Sequence, residues 1–280
     1  MVNSYYPETV TKALEIRREH PGAQLIMGGS DVMVVRKFKE DLIFLNQISE
    51  LKKVCVKGQD LYIGAGAVYS ELLQNDLIPE LLKRAVLQIA SPAIRNVGTV
   101  AGNICNASPA GDTLPVLYVM DALVEAESVT SDGEISGRMI PIEDFIRGVR
   151  KTDLKDNEIV TAVIIPDFRR FDEYEIRYEK VGGRRAEAIS KLSFAGMKVT
   201  NGDKVRDIRF SFGSVGVTTL RMRSMEKKIA DQGWGAADEV ISDYEDMLKP
   251  IDDQRSTAKY RKTVCLNLLR DFLKNEKTDP

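Results

Sequence analysis

Between Arg95 and Pro115 the chain reads Arg-Asn-Val-Gly-Thr-Val-Ala-Gly-Asn-Ile-Cys-Asn-Ala-Ser-Pro-Ala-Gly-Asp-Thr-Leu-Pro. Three glycines, three asparagines, two threonines, a serine and an aspartate alternate with Val97, Val100, Ala101, Ile104 and Ala107. Apolar residues at that density are wasted on a solvated loop, so the segment is expected to be a long structured loop lying against the interior, between two helices. Glycine lets the main chain come close to a neighbour and take positive φ. Asn, Ser, Thr and Asp offer donors and acceptors on short stems. The mixture predicts backbone wrapped around a large polar ligand.

Bulk properties exclude several classes of chemistry. The chain has 280 residues, enough for two or three domains. Its 40 Lys and Arg against 42 Asp and Glu leave a formal charge of −2, without the basic face that nucleic acid needs. No apolar run approaches the roughly 20 residues of a membrane span, and Met1 to Pro7 lacks the pattern of a signal peptide. A cytoplasmic protein is expected. Cys55, Cys105 and Cys265 are widely spaced and form neither a disulfide framework nor a C-x-x-C motif. His20 is the only histidine and precedes Pro21-Gly22, where it reads as a helix C-cap. With so little nucleophilic or acid–base machinery, redox chemistry would have to come from a bound cofactor.

Periodicity sets the organisation. A helix over Pro7 to His20, a strand over Ala23 to Met27, a glycine turn, a helix over Val32 to Lys39 and a strand over Leu42 to Asn46 make a βα-type unit with parallel pairing. Strands follow at Val54 to Lys57 and Leu61 to Ile63, and helical pattern from Tyr69 to Ala90 is interrupted at Pro79. Leu114 to Met120 is helical, and Ala122 to Glu127, Gly133 to Met139 and Ile159 to Ile165 are strands. Beyond Phe168 the pattern becomes an antiparallel meander over Tyr174 to Val181, Leu192 to Val199 and Val205 to Val215, then helices over Met225 to Ile241 and Thr257 to Asn275. Three domains are expected, over 1–52, 53–167 and 168–280.

Two glycine motifs compete for attention in the first half. Gly28-Gly29-Ser30-Asp31 lies between a strand and a helix, and it reads either as a pyrophosphate cradle or as a tight turn with Ser30 as N-cap. Gly64-Ala65-Gly66 imitates a dinucleotide fingerprint, but Tyr69 stands where its third glycine belongs, so turn and close packing is the better reading. In the long segment Asp112 can accept from two ribose hydroxyls. Lys180 can add positive charge, whereas Arg184 and Arg185 read as a solvated strand end.

Together, Gly-Gly-Ser-Asp at 28–31, Ile63-Gly64-Ala65, Arg95-Asn96-x-Gly-Thr-x-x-Gly-Asn and Ala107-Ser-Pro-Ala-Gly-Asp-x-x-Pro resemble the flavin-binding subunit of the xanthine dehydrogenase family, which includes the molybdenum hydroxylases. Tyr178-Glu-Lys-x-Gly-x-Arg and Ser256 to Arg261 resemble that family's C-terminal domain. The resemblance implies an α+β fold. It comprises a two-subdomain FAD-binding fold of the vanillyl-alcohol-oxidase (PCMH) type and an α+β C-terminal domain with a three-stranded antiparallel sheet plus helices. It implies FAD on the pyrophosphate side at Ile26, Met27, Gly28, Gly29, Ser30, Asp31 and Val32, with further contacts from Thr99, Gly102, Asn103 and Asn106. Asp112 would take the adenosine ribose and Lys180 would stand near the flavin ring. The implied role is electron transfer without a catalytic side chain, from a 2Fe-2S subunit to NAD or another acceptor. Substrate would be oxidised on a separate molybdopterin-binding subunit. The alternative is a self-sufficient FAD-dependent oxidoreductase of the same fold.

Overall fold

Seven consecutive residues, Ile159 to Ile165, are buried on both faces. Such a run is the signature of a central strand covered on both sides. The computed structural model describes residues 2–35 and 38–274. In chain order its elements begin with β1 (Ser4–Tyr5), α1 (Val10–Glu19), β2 (Gln24–Ile26), α2 (Val32–Val35), β3 (Leu42–Phe44), β4 (Val54–Lys57) and β5 (Asp60–Gly64). Then come α3 (Tyr69–Gln74), α4 (Glu80–Leu87), α5 (Pro92–Arg95), α6 (Val100–Asn106), α7 (Leu114–Val119), β6 (Leu123–Val129), β7 (Ile135–Pro141), α8 (Ile142–Phe145), β8 (Ile146–Gly148), β9 (Lys151–Thr152) and β10 (Ile159–Ile165). The last third holds β11 (Glu175–Val181), β12 (Leu192–Asn201), β13 (Lys204–Gly213), β14 (Leu220–Arg221), α9 (Arg223–Gln232), α10 (Ala237–Met247) and α11 (Ala258–Lys274).

The chain divides into two units. The first takes Met1–Pro79, Ala90–Ala107 and Met120–Arg169; the second takes Glu80–Ile89, Ser108–Val119 and Arg170–Pro280. In the first unit a three-stranded sheet has the order β1-β3-β2 with parallel pairing, as the βα pattern predicts. A five-stranded antiparallel sheet has the order β4-β5-β10-β6-β7, with Val163 of β10 opposite both Ile63 and Val124. Thr9 caps α1, its hydroxyl accepting from the Lys12 amide, so the helix begins at Val10, three residues beyond Pro7. His20 is its C-cap, with its amide on the Ile16 carbonyl at 2.8 Å. The turn Gly64-Ala65-Gly66 is close packing. A Cβ on Gly64 would lie 2.2 Å from the Leu51 carbonyl oxygen, and the Gly66 amide bonds that same carbonyl at 2.7 Å.

In the second unit β11-β12-β13-β14 form one antiparallel sheet. The sheet has four strands where three were expected, because the two-residue β14 is too short to show a period of its own. One face packs Phe194, Phe210, Phe212, Tyr244 and Phe272 into an aromatic cluster with ring centroids 4.9–6.2 Å apart. Buried α7 exposes helix C-terminal carbonyls that have no partner within the helix. Ser211 Oγ donates to Pro115, Arg209 to Val119 at 3.2 Å and Arg221 to Tyr118. Sheet side chains thereby close the end of the helix.

Other departures from the expected elements have local causes. Of the helix expected to Lys39, α2 covers Val32–Val35 and Phe38 and Lys39 are not helical, while residues 36–37 lie outside the described residues. The helix expected over Met225 to Ile241 is interrupted at Gly233, which takes φ +73°, by a short 3₁₀ turn. Asn275, expected to close the last helix, lies outside the described residues. The stretch read as one loop contains α6. Thr99 is its N-cap, and Val100, Ala101 and Ile104 bury its inner side.

Beside the five-stranded sheet, Arg138 of β7 donates to both oxygens of Glu158 at 2.7 and 2.8 Å and to Asp153 at 2.7 Å. Burial pushes the Glu158 carboxyl up, but Arg138 and the Lys155 amide outweigh it and hold the group below its ordinary 4.5. Arg138 and Arg147 hold Asp153 below 3.8. A depressed acid pKa stabilises the fold above the unfolded value, and that contribution disappears as pH falls through the folded value. The urea midpoint should therefore drop as pH falls below 4.5. Arg138→Met should lower the neutral-pH midpoint and flatten this acid limb, as equilibrium unfolding at stepped pH will show.

Candidate functional site

The first unit brings the two sequence motifs into contact. An ideal Cβ built on Gly28 would fall 1.8 Å from the Val97 carbonyl oxygen, so the turn after β2 lies directly on the turn before α6. Only glycine fits at that separation. Gly98 is held from the other side, its carbonyl accepting from the Tyr69 amide at 2.9 Å. Next along, Gly29 takes φ +69°, and a Cβ there would meet only ordinary contacts with Met33 and Ile26.

The Gly29 and Asp31 carbonyls accept from Met33 and Val34. Among the described residues, the amides of Gly28, Gly29, Ser30 and Asp31 donate no hydrogen bond. Ser30 makes no cap bond among the described residues, so the N-cap reading of this motif does not hold. Four successive amides with no acceptor among the described residues, at half-buried positions, suit an anion with several oxygens. Ile26 is buried at the end of β2, while Met27 and Val32 are half-buried on either side of the turn.

On α6, the Thr99 hydroxyl accepts from the Gly102 amide at 3.0 Å. Gly102 is exposed, and Asn103 and Asn106 are half-buried along the same helix. Arg150, at the β8–β9 turn, donates to Asp31 at 2.6 Å and to the Asn106 side-chain oxygen. Sequence reading missed Arg150, because nothing in Gly-Val-Arg-Lys-Thr distinguishes it from any other basic turn residue.

Asp112 and Lys180 both belong to the second unit. The carboxylate accepts from Lys180 Nζ at 2.7 Å and from Ser190 Oγ at 2.5 Å, and Tyr178 donates to the Asp112 carbonyl at 3.1 Å. Lys180 Nζ also donates to the Gln88 carbonyl at 2.9 Å. Burial pushes the Asp112 carboxyl above its ordinary value, with Lys180 and Ser190 pulling the other way. Ser190 was also missed. It precedes β12 in a stretch where a lone serine carries no signal. Arg184 stays exposed, and it folds back on the carbonyls of Ala186 and Glu187.

Residues 1–168 match the family model for the FAD binding domain in molybdopterin dehydrogenase, and residues 177–275 match the C-terminal domain of CO dehydrogenase flavoprotein. The chain belongs to this family of FAD-binding proteins. FAD is its cofactor. Xanthine dehydrogenase of Oryza sativa subsp. japonica is 32% identical over 82% of this chain, which spans only 18% of that protein. The glyceraldehyde dehydrogenase medium chain of Sulfolobus acidocaldarius is 27% identical, with 92% of each chain covered. The fold matches a solved carbon monoxide dehydrogenase chain of Hydrogenophaga pseudoflava with a TM-score of 0.87, over 96% of this chain and 94% of that one, at 24% identity. Among the described residues no helix is long and apolar enough to cross a membrane.

The buried pair in the second unit gives a direct test. Removing one partner leaves the other charge buried without compensation, a loss of about 3–5 kcal/mol. Asp112→Ala should lower the unfolding free energy of this family member by that order, and Ser190→Ala by about 1 kcal/mol. The double variant Asp112→Ala, Lys180→Met should recover most of the loss. Urea unfolding of the four proteins decides it.

Proposed function

We propose that this chain is the FAD-binding, electron-transferring subunit of a multisubunit molybdenum hydroxylase. In this reading a 2Fe-2S subunit delivers electrons, a molybdopterin-binding subunit oxidises the substrate, and NAD or another acceptor takes the electrons away. The family match and the likeness to a medium chain along nine-tenths of both proteins support the assignment. The first unit is read as the two-subdomain fold of the PCMH type, its parallel sheet over 1–52 and its antiparallel sheet over 53–167 being the two subdomains. Residues 168–280 form the C-terminal domain.

The observation that carries the cofactor assignment is the run of amides at Gly28–Asp31, which have no acceptor among the described residues. A diphosphate supplies acceptors for such a run. Ile26, Met27 and Val32 flank that cradle. On α6, Thr99 fixes the first turn, Gly102 keeps its surface clear of a side chain, and Asn103 and Asn106 offer carboxamides. Asp112 is assigned to the ribose. Its two oxygens each keep a lone-pair direction beyond the bonds to Lys180 and Ser190. Lys180 is assigned to a place near the flavin ring, with its ammonium oriented by Asp112. Bound FAD supplies electron-transfer chemistry in one- and two-electron steps, and the residues of this chain bind and orient it.

The purified chain should be yellow, or should take up FAD with quenching of flavin fluorescence. Gly29→Leu puts a bulky side chain within the amide run and forces an L-residue into left-handed φ, a strain of about 1–2 kcal/mol. The variant should remain folded by circular dichroism, with its melting temperature lowered by a few degrees as that strain requires, and should lose FAD. A folded Gly29→Leu that binds FAD normally would place the diphosphate elsewhere.

A further inference from the structure

Arg150 stands in an unusual place for an exposed arginine. It forms the β8–β9 turn at φ +58°, a left-handed conformation that costs energy for any residue with a Cβ. Its amide bonds the carbonyl of Ala107, the left-handed C-cap of α6, at 3.0 Å. The backbone therefore delivers the side chain to one spot. There the guanidinium bridges Asp31 Oδ2, at 2.6 Å, and the Asn106 side-chain oxygen. The ion pair is exposed, with 53% and 44% of the two side chains accessible, and exposed pairs add little to folding stability.

Location gives the pair its meaning. Asp31 is the last residue of the run of amides assigned to the cofactor diphosphate, and its carboxylate is an anion at the edge of an anion cradle. Like charges set side by side oppose binding. We propose that Arg150 is a positioning residue for FAD: it neutralises Asp31 and holds that carboxylate and the Asn106 carboxamide in fixed places beside the cradle. The inference rests on the functional reading above, and it concerns a residue that the sequence motifs do not mark.

FAD titration of the flavin-stripped chain, followed by fluorescence quenching, tests it with four variants. Arg150→Ala leaves Asp31 uncompensated and should weaken FAD binding by about tenfold or more, with the defect shrinking as salt is raised. The melting temperature of the stripped protein should stay unchanged, because the pair is exposed. Arg150→Lys keeps the charge and should bind with intermediate affinity. Asp31→Asn removes the charge that Arg150 compensates, so adding Arg150→Ala to Asp31→Asn should cost much less FAD affinity than Arg150→Ala costs the unaltered chain. An equal cost in both backgrounds would show that Arg150 acts on FAD without Asp31 and would overturn the compensation argument. Normal FAD binding by Arg150→Ala would overturn the proposal while leaving the functional reading intact. Failure of the unaltered chain to bind FAD would overturn both.

Discussion

The first unit depends on a backbone-to-backbone approach between residues 69 positions apart. Gly28 lies so close to the Val97 carbonyl that a methyl group would overlap it. The approach is possible because Gly28 has no Cβ to meet the Val97 carbonyl and because Gly98, the next residue, is anchored to the start of α3. Gly29, beside this contact, takes positive φ, and the amides of residues 28–31 have no acceptor among the described residues. The shape of the turn is thus set by backbone packing. That matters for affinity, since ordering a loop at the moment of binding would subtract from it.

The second unit solves a different problem, the burial of charge. An isolated ammonium in an apolar setting is unstable, and so is an isolated carboxylate. Asp112 and Lys180 are buried together, and Ser190, Tyr178 and the Gln88 carbonyl complete their hydrogen bonds. Such a pair is weak evidence for stability, because replacement by apolar residues can be neutral. What such a pair does provide is a charge at a defined point. A lysine tethered at Nζ by a carboxylate and a carbonyl has few rotamers left, so its position is known to within the length of a hydrogen bond.

Much of the fold was legible in the sequence because it obeys simple periods. The parallel βα unit, the largely apolar strand Ile159–Ile165 and the antiparallel meander over Glu175–Gly213 follow from alternation and turn residues. The two glycine motifs were visible as motifs, but their mutual contact was not, since no local pattern encodes a separation of that length. Helix α6 was hidden because Gly102, Asn103 and Asn106 are poor helix formers. In hindsight Thr99, three residues before Gly102 and ahead of an apolar i, i+4 pair, was the cap signal. Arg150 and Ser190 left no trace, because one is a basic residue in a turn and the other a serine beside a strand. Their roles come from what the fold sets beside them.

Ala107 links these observations. It caps α6 in the left-handed conformation, and beyond it the chain leaves the first unit for the second. An alanine at φ +44° is strained, and such strain persists only where the surroundings over-determine it. Here its own amide bonds Ile104 and its carbonyl accepts from Arg150, itself left-handed. Two strained residues hold each other through one hydrogen bond. Their joint effect is to end the helix sharply and to bring a guanidinium to Asp31 and Asn106. The polar segment from Arg95 to Pro115 is therefore two devices in series. Its first half presents a short capped helix beside the glycine cradle of the first unit. Its second half carries Asp112 into the buried charge pair of the second. The apolar residues interleaved through it anchor each half, and that explains a composition neither a surface loop nor a regular helix would need.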